Sequence, residues 1–157
     1  MPKLFIFALL VLAAGCRHAT DPAPLEASLG MYDELALGTG HWEWERTVRG
    51  FGPAKTPATE GYARQLVFGP SGQLLLRRSQ QPIYTTTYQL SMGAFPNCGS
   101  SQALPILTFA TNEPSLPNSN RKSYQLTQQN GQQQLILAGE TVCLDGDSSE
   151  FYHWVAD

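Results

Sequence analysis

The sequence predicts an all-β domain of about eight strands, folded as a barrel or a sandwich. From residue 38 onward, apolar and polar residues alternate with a period of two, which is the pattern of half-buried strands. Glycine, proline, asparagine and serine interrupt these runs at short intervals, as turns do in all-β folds. No part of this region keeps a helical periodicity over a long stretch. A chain of 157 residues has room for one such domain.

The N-terminus is set apart from the domain as a targeting segment. Lys3 precedes an apolar run over residues 4–14, which is shorter than the ~20 residues that span a bilayer. Small residues then lead to Cys16, and this resembles a bacterial lipoprotein signal whose cysteine becomes the lipidated first residue of the mature chain. A cleaved secretory signal and an uncleaved anchor are the alternatives. The predicted organisation is a signal peptide over 1–15, a lipidated tether over 16–36 and a barrel domain over 37–157, held at the outer-membrane or periplasmic face of a bacterial cell envelope.

The strands are predicted from alternation and bounded by turn residues. At the end of the tether, residues 25–37 have near-helical apolar spacing that Gly30 interrupts, so only a short helical turn is expected there. Asn130-Gly131 between two alternating runs is the clearest hairpin of the chain. Loops are expected over 50–61, 93–105 and 112–120. The predicted strands cover 41–49, 62–68, 73–79, 83–92, 106–111, 123–129, 132–137, 140–145 and 150–155.

Alternation also predicts which side chains face the interior. In the first strand, Trp42, Trp44, Arg46 and Val48 share one side, and the other side carries glutamates that belong in water. The tryptophan side is therefore expected to point inward. The same parity places Arg64 at the rim of the interior and turns His41 and His153 outward. Further inward positions are Leu74, Thr86, Leu90, Leu107, Tyr124, Leu126, Tyr152 and Trp154.

The cysteines support an extracytoplasmic location. Three are present, and a lipidated Cys16 leaves Cys98 and Cys143 as a pair in an oxidising compartment. A disulfide between them would close a loop of about 46 residues and stabilise the fold by roughly 4 kcal/mol. The alternative is two unrelated cysteines, because their spacing fits no zinc motif.

The charge pattern excludes nucleic acid as a partner and offers no catalytic constellation. Net charge is −3 with no basic block, and the pairs Arg77-Arg78 and Arg121-Lys122 are expected to be solvated strand ends. There is no G-x-S-x-G elbow and no histidine pair with metal-ligand spacing. We therefore expect no enzyme activity and no cofactor, and a hydrolase ranks last among the function classes.

An acidic group near the C-terminus is the only hint of a metal. Asp145, Asp147 and Glu150 could gather calcium weakly, since hard cations prefer oxygen ligands. The run lacks EF-hand spacing, so a solvated turn is the expected interpretation.

Four segments carry a family resemblance. They are GHWEWERTVRGFG, TPATEGYARQLVFGPSGQ, TTYQL and CLDGDSSEFYHWV, which together extend over residues 38–155. With a Gly-x-Trp at the head of the first strand, they are similar to the small lipocalin-like lipoproteins of Bacteroidetes-type bacteria. The resemblance implies an antiparallel up-and-down barrel of about eight strands with an apolar interior and no enzyme chemistry.

An eight-stranded barrel is either filled by side chains or just wide enough for one small ligand, and both options stay open. The predicted function is a membrane-anchored envelope protein that binds a small apolar or amphipathic molecule. The alternative is a packed structural or interaction module with an unidentified protein partner, using residues 50–61 and 93–105 as contact surfaces. A ligand cavity would be lined by Trp44, Tyr62, Leu66, Phe68, Leu76, Tyr84, Tyr88 and Phe109.

Overall fold

The computed structural model describes residues 34–97, 100–109, 120–140, 142 and 147–157. These residues form a closed antiparallel barrel of eight strands in up-and-down order, which confirms the predicted fold class. The predicted signal peptide, most of the tether, Cys98, Cys143 and Asp145 lie outside the described residues. The elements are β1 (Gly40–Arg49), α1 (Pro57–Glu60), β2 (Arg64–Phe68), β3 (Gln73–Arg78), β4 (Gln81–Asn97), β5 (Ser100–Phe109), β6 (Arg121–Gln129), β7 (Gln132–Gly139) and β8 (Ser148–Ala156).

Two predicted loops contain regular structure. The loop expected over 93–105 is wrong, because β4 and β5 stay paired from Tyr88↔Phe109 to Asn97↔Ser100. Continuous pairing overrides the turn signals that glycine and proline give locally. The loop over 50–61 holds the one-turn helix α1, whose N-cap Thr56 forms a capping box. Most of the strand predicted over 140–145 lies outside the described residues.

The predicted faces of β1 are correct only up to Trp44. The register with β8 shifts between Trp44 and Arg46, so Glu45 is an extra residue on β1. A bulge of this kind reverses the faces of everything that follows it. Arg46 and Val48 are consequently exposed, and Thr47 is buried instead. The prediction that Arg46 and Val48 face inward is therefore wrong.

One end of the barrel is closed by the segment that leads into β1. Leu35 is fully buried, and its carbonyl accepts a hydrogen bond of 2.8 Å from Trp42 Nε1. The ring of Trp154 meets Trp42 edge to face, with 5.3 Å between the ring centroids. Gly40 permits this approach, because a Cβ there would collide with the Val155 carbonyl and lie 2.6 Å from the Trp154 ring.

The pairing between β5 and β6 is short. These strands are in register only from Ile106↔Ser123 to Thr108↔Arg121. Phe109 donates its N–H to the Asn120 carbonyl. To continue the ladder towards β6, every second residue of β5 must therefore donate its N–H to β6. Leu107 is the next such position and is still paired; the one after it is Pro105, which has no N–H. The ladder therefore ends there, and the first half of β5 leaves the wall.

The hairpin that leaves the wall lies against the outer face of β6 and β7. We call residues 91–97 and 100–105 the outer hairpin. Arg121 holds it there: Nη2 donates to the Ala94 carbonyl at 2.8 Å, the guanidinium lies 5.4 Å from the Phe95 ring centroid, and Nη1 pairs with Glu140. Phe95 and Ile106 are each only 2% exposed, although neither belongs to the interior core. The outer hairpin thus encloses a second, smaller set of apolar contacts.

Candidate functional site

The eight predicted ligand-lining residues come together in the barrel interior, in one apolar cluster. Six of them are at most 5% exposed, and Tyr62 and Tyr84 pack on the cluster from its margin. The Trp44 and Tyr62 rings stack at 5.9 Å, and Phe68 meets Tyr88 edge to face at 4.9 Å. These residues contact one another as a core does, and their role towards a ligand stays a prediction. The six are Trp44, Leu66, Phe68, Leu76, Tyr88 and Phe109.

A charged network also lies inside the barrel, at the end of β8 that begins with Ser148. Arg64 Nη2 donates to Glu150 Oε2 at 2.7 Å, and the Tyr152 hydroxyl donates to the same oxygen at 2.6 Å. Lys122 Nζ lies 3.2 Å from Glu150 Oε1 and 3.8 Å from Asp147 Oδ1. The Arg64 guanidinium is also 4.8 Å from the Trp44 ring centroid. The network joins β2, β6 and β8 across the interior.

Three predictions about these charges are wrong. Arg64 is not at the rim but 5% exposed, and Lys122 is a buried cation, not a solvated strand end. Asp147 and Glu150 are 4% and 1% exposed, so they do not form a solvated turn. Burial is tolerated because each charge meets an opposite charge from another strand, and charges without such partners stay at the surface.

Electrostatic pairing sets the protonation states in this network. Burial alone would raise the pKa of Glu150, but Arg64 and then Lys122 more than offset it, and the pKa falls below its ordinary value. Burial raises the pKa of Tyr152 well above its ordinary value, and the Glu150 carboxylate that accepts its hydrogen bond adds to this rise. Glu150 is therefore ionised and Tyr152 neutral at pH 7.

A second candidate site is a cleft between the outer hairpin and the barrel wall. Its volume is about 460 Å³. On the wall side, Ser123 pairs with Ala138 and Gln125 with Ile136, so all four point away from the buried side chains of β6 and β7. The cleft extends around the unpaired edge of β6. Its lining residues are Glu34, Leu104, Pro105, Ser123, Tyr124, Gln125, Leu126, Ile136 and Ala138.

One end of this cleft is polar. The Tyr124 hydroxyl donates to Glu34 Oε2 at 2.6 Å, between β6 and the segment that closes the barrel. Burial raises the pKa of Tyr124 well above its ordinary value, and the Glu34 carboxylate adds to the rise. Tyr124 is thus a neutral donor to an anionic acceptor. The remainder of the lining is mainly aliphatic.

Sequence reasoning missed the cleft, although one signal for it is present. Leu126 is predicted to lie inside the barrel, and this prediction is wrong. The side chain is 38% exposed, because β5 no longer pairs with β6 at this level of the wall. Pro105, inside a paired strand, marks the point of departure. Proline in a strand favours an edge, and β5 is an edge towards β6 before Ile106.

His41 and His153 lie on the outer face, where His41 forms hydrogen bonds and His153 lies close to a glutamate. His41 Nδ1 is 3.2 Å from Asp157 Oδ1, and Nε2 is 3.0 Å from Gln65 Nε2. His153 Nδ1 is 3.1 Å from Glu45 Oε1. Across the described ranges, no group of three or more histidine, cysteine or acidic residues is arranged to hold a metal ion. Within the same ranges, no helix has the length and apolar character that crossing a membrane requires.

Comparison of the chain with protein-family models, with curated proteins and with solved structures finds no match.

Proposed function

We propose that this protein is a lipid-anchored, lipocalin-like protein of the bacterial envelope that binds one small amphipathic molecule in the cleft beneath the outer hairpin. The cleft is the observation that carries this proposal. Its volume of about 460 Å³ falls within the ~300–1,000 Å³ typical of small-molecule sites. A mainly apolar lining with a few polar groups is also typical of such sites.

The barrel interior is the weaker candidate for the same ligand. The predicted interior residues pack on one another, and the charged network occupies the end beyond them. A ligand there would have to displace buried apolar contacts or separate buried charges, and both cost free energy. The cleft requires neither change.

The polar end of the cleft indicates the chemical class of the ligand. Glu34 provides a carboxylate, and Tyr124 already donates its proton to that group. A ligand with a hydroxyl or ammonium head can donate to Glu34, whereas a fatty acid would bring a second carboxylate next to it. The proposed ligand therefore has an alkyl or ring-shaped apolar body and a hydroxyl or amine head.

Calorimetric titration of the full-length protein in mild detergent tests this proposal. The probes are oleyl alcohol, oleylamine and oleate, which share one chain and differ in the head. We expect saturable binding of the alcohol and the amine, with affinity at least about tenfold above that of oleate. Equal affinity for all three would contradict the assigned head-group preference.

Two matched variants localise the binding. Ala138→Trp fills the cleft from the outer face of β7, and Thr85→Trp adds the same bulk to the exposed face of β4. We expect Ala138→Trp to weaken binding at least about tenfold, and Thr85→Trp to leave it unchanged. Unchanged binding in a folded Ala138→Trp protein would place the ligand elsewhere.

A packed interaction module is the second candidate function. One specific observation favours it: Phe51 is 82% exposed at the start of the loop after β1, and Met92 is 61% exposed at the start of the outer hairpin. Exposed large apolar side chains are common in protein contact surfaces. Cross-linking in envelope extract should then recover a partner with the wild type but not with Phe51→Ser.

A further inference from the structure

Three side chains of the internal network lie close together around Lys122. Lys122 Nζ lies 3.8 Å from Asp147 Oδ1 and 3.2 Å from Glu150 Oε1. The side chains of Lys122 and Glu150 are each 1% exposed, and that of Asp147 is 3% exposed. Among the described groups, neither Lys122 Nζ nor Glu150 Oε1 has a hydrogen bond of good geometry. A buried amine thus lies within 3.8 Å of carboxylate oxygens from two residues.

The backbone is arranged to hold Asp147 against Lys122. Gly139 is the register partner of Lys122 on β7, and a Cβ on Gly139 would collide with the Asp147 carboxylate. The Ser148 N–H donates to Asp147 Oδ1 at 2.8 Å and fixes the orientation of the carboxylate. Glycine opposite Lys122 therefore provides the space that the Asp147 carboxylate occupies.

We propose that Lys122 and Asp147 condense into an intramolecular isopeptide bond, with Glu150 as the proton carrier. The Lys122 ammonium first gives one proton to the Asp147 carboxylate, so that the amine and the carboxylic acid are both neutral. Nζ then attacks Cγ of Asp147. Glu150 Oε1 takes a second proton from Nζ and delivers it to the departing hydroxyl, so that one C–N bond forms, one C–O bond breaks and one water leaves. No oxidant or other co-reactant is needed.

The charges of the network give this reaction a physical driving force. Before it, the interior holds two cations, Arg64 and Lys122, and two anions, Asp147 and Glu150. Afterwards only Arg64 and Glu150 remain, and they form the closest ion pair of the network, at 2.7 Å. Removing two buried charges removes their desolvation cost. Since Arg64 and Tyr152 both bond to Glu150 Oε2, the other oxygen is left facing Lys122.

The bond would tie β6 to the start of β8 across β7. A tryptic digest of the full-length protein, after denaturation, reduction and alkylation, tests whether this bond is present. No lysine or arginine follows Lys122 in the chain, so its peptide extends to Asp157. If Lys122 is linked, trypsin cannot cut after it, and the digest yields peptide 122–157 lighter by one water. If Lys122 is free, the digest yields 123–157 or 122–157 at full mass.

We expect the wild type to give only the dehydrated, uncut peptide, and full-mass peptides in the wild type would overturn the proposal. Asp147→Ala should restore the full mass, and Glu150→Gln should slow bond formation on the order of 100-fold. Dehydration that persisted in Asp147→Ala would also overturn it. Succinimide formation at Asp145-Gly146 loses the same mass but leaves Lys122 open to trypsin. If a variant fails to fold, the wild-type digest still decides.

Discussion

Replacement of Arg64 by alanine tests whether Arg64 and Glu150 form a buried ion pair inside the barrel. The two side chains of the Arg64–Glu150 pair are 7% and 1% exposed and 2.7 Å apart. Without Arg64, Lys122 is the one cationic neighbour left to Glu150 among the described residues, and the proposed bond to Asp147 would remove that charge too. Removing one partner of a buried pair costs about 3–5 kcal/mol. For a domain of this size, each kcal/mol lowers Tm by roughly 3–5 °C, so we expect a decrease of about 10–20 °C.

The pH dependence of the same variant gives a second readout. In the folded wild type, burial alone would raise the pKa of Glu150, but Arg64 and Lys122 lower it. Ionised Glu150 therefore stabilises the wild type above the ordinary glutamate pKa of about 4.3, and this contribution is lost as pH falls through the lower folded pKa. In Arg64→Ala, the rise that burial causes in the Glu150 pKa is less offset. Glu150 of the variant therefore takes up a proton at a higher pH than Glu150 of the wild type. The stability difference between the two proteins should narrow from pH 7 to pH 4.

Thermal unfolding followed by tryptophan fluorescence measures the decrease in Tm, and urea unfolding at pH 7 and pH 4 measures the free energy of unfolding and its pH dependence. Arg78→Ala is the control, because Arg78 is exposed and its guanidinium stacks on the Tyr62 ring at 4.4 Å. That contact is worth about 0.5–1 kcal/mol. A cost for Arg64→Ala below about 1 kcal/mol, or one that is the same at pH 7 and pH 4, would refute a buried Arg64–Glu150 pair.

Three further substitutions probe other parts of the barrel. Gly40→Ala should lower the free energy of unfolding by about 1–3 kcal/mol, because the added Cβ collides with the Val155 carbonyl. Gly69→Ala is its control, since the Cβ would meet Gln73 at 3.4 Å, and it should cost much less in the same urea titration. Thr47→Val removes the acceptor 3.0 Å from Trp44 Nε1 and should cost about 1–3 kcal/mol; an unchanged midpoint would argue against the bulge that turns Thr47 inward. Pro105→Ala supplies the missing N–H and should extend the β5–β6 ladder by one hydrogen bond. The new amide at position 105 should then be protected from hydrogen exchange, and rapid exchange would mean that Pro105 does not end the pairing.

Period-two alternation was sufficient to predict most of the strand positions and most of the inward faces, but not the paired residues 93–97 and 100–105. Trp42, Trp44, Leu66, Leu74 and Leu107 are buried as the pattern predicts. The prediction is wrong where one residue is inserted, because nothing local distinguishes Glu45 from its neighbours, and a bulge is fixed by pairing with a distant strand.

The charged network could not be predicted from local sequence. Arg64 and Glu150 are 86 positions apart, so no short-range pattern links them. The rule that charges face water holds for single residues and fails where opposite charges meet in the interior. The cleft depends on the same kind of information, because the missing N–H of Pro105 matters only once β6 lies beside β5. Both the charged network and the cleft therefore depend on contacts between residues that are far apart in the sequence.

Photo-cross-linking tests the central claim, that the ligand lies beneath the outer hairpin, most directly. The probe is a long-chain alcohol with a diazirine near the middle of its chain, irradiated with the full-length protein and mapped by peptide mass spectrometry. We expect saturable labelling of residues that line the cleft, such as Leu104, Leu126 and Ile136, with competition by oleyl alcohol. Labelling centred on Trp44 and Tyr84 in the interior, or labelling that never saturates, would contradict it.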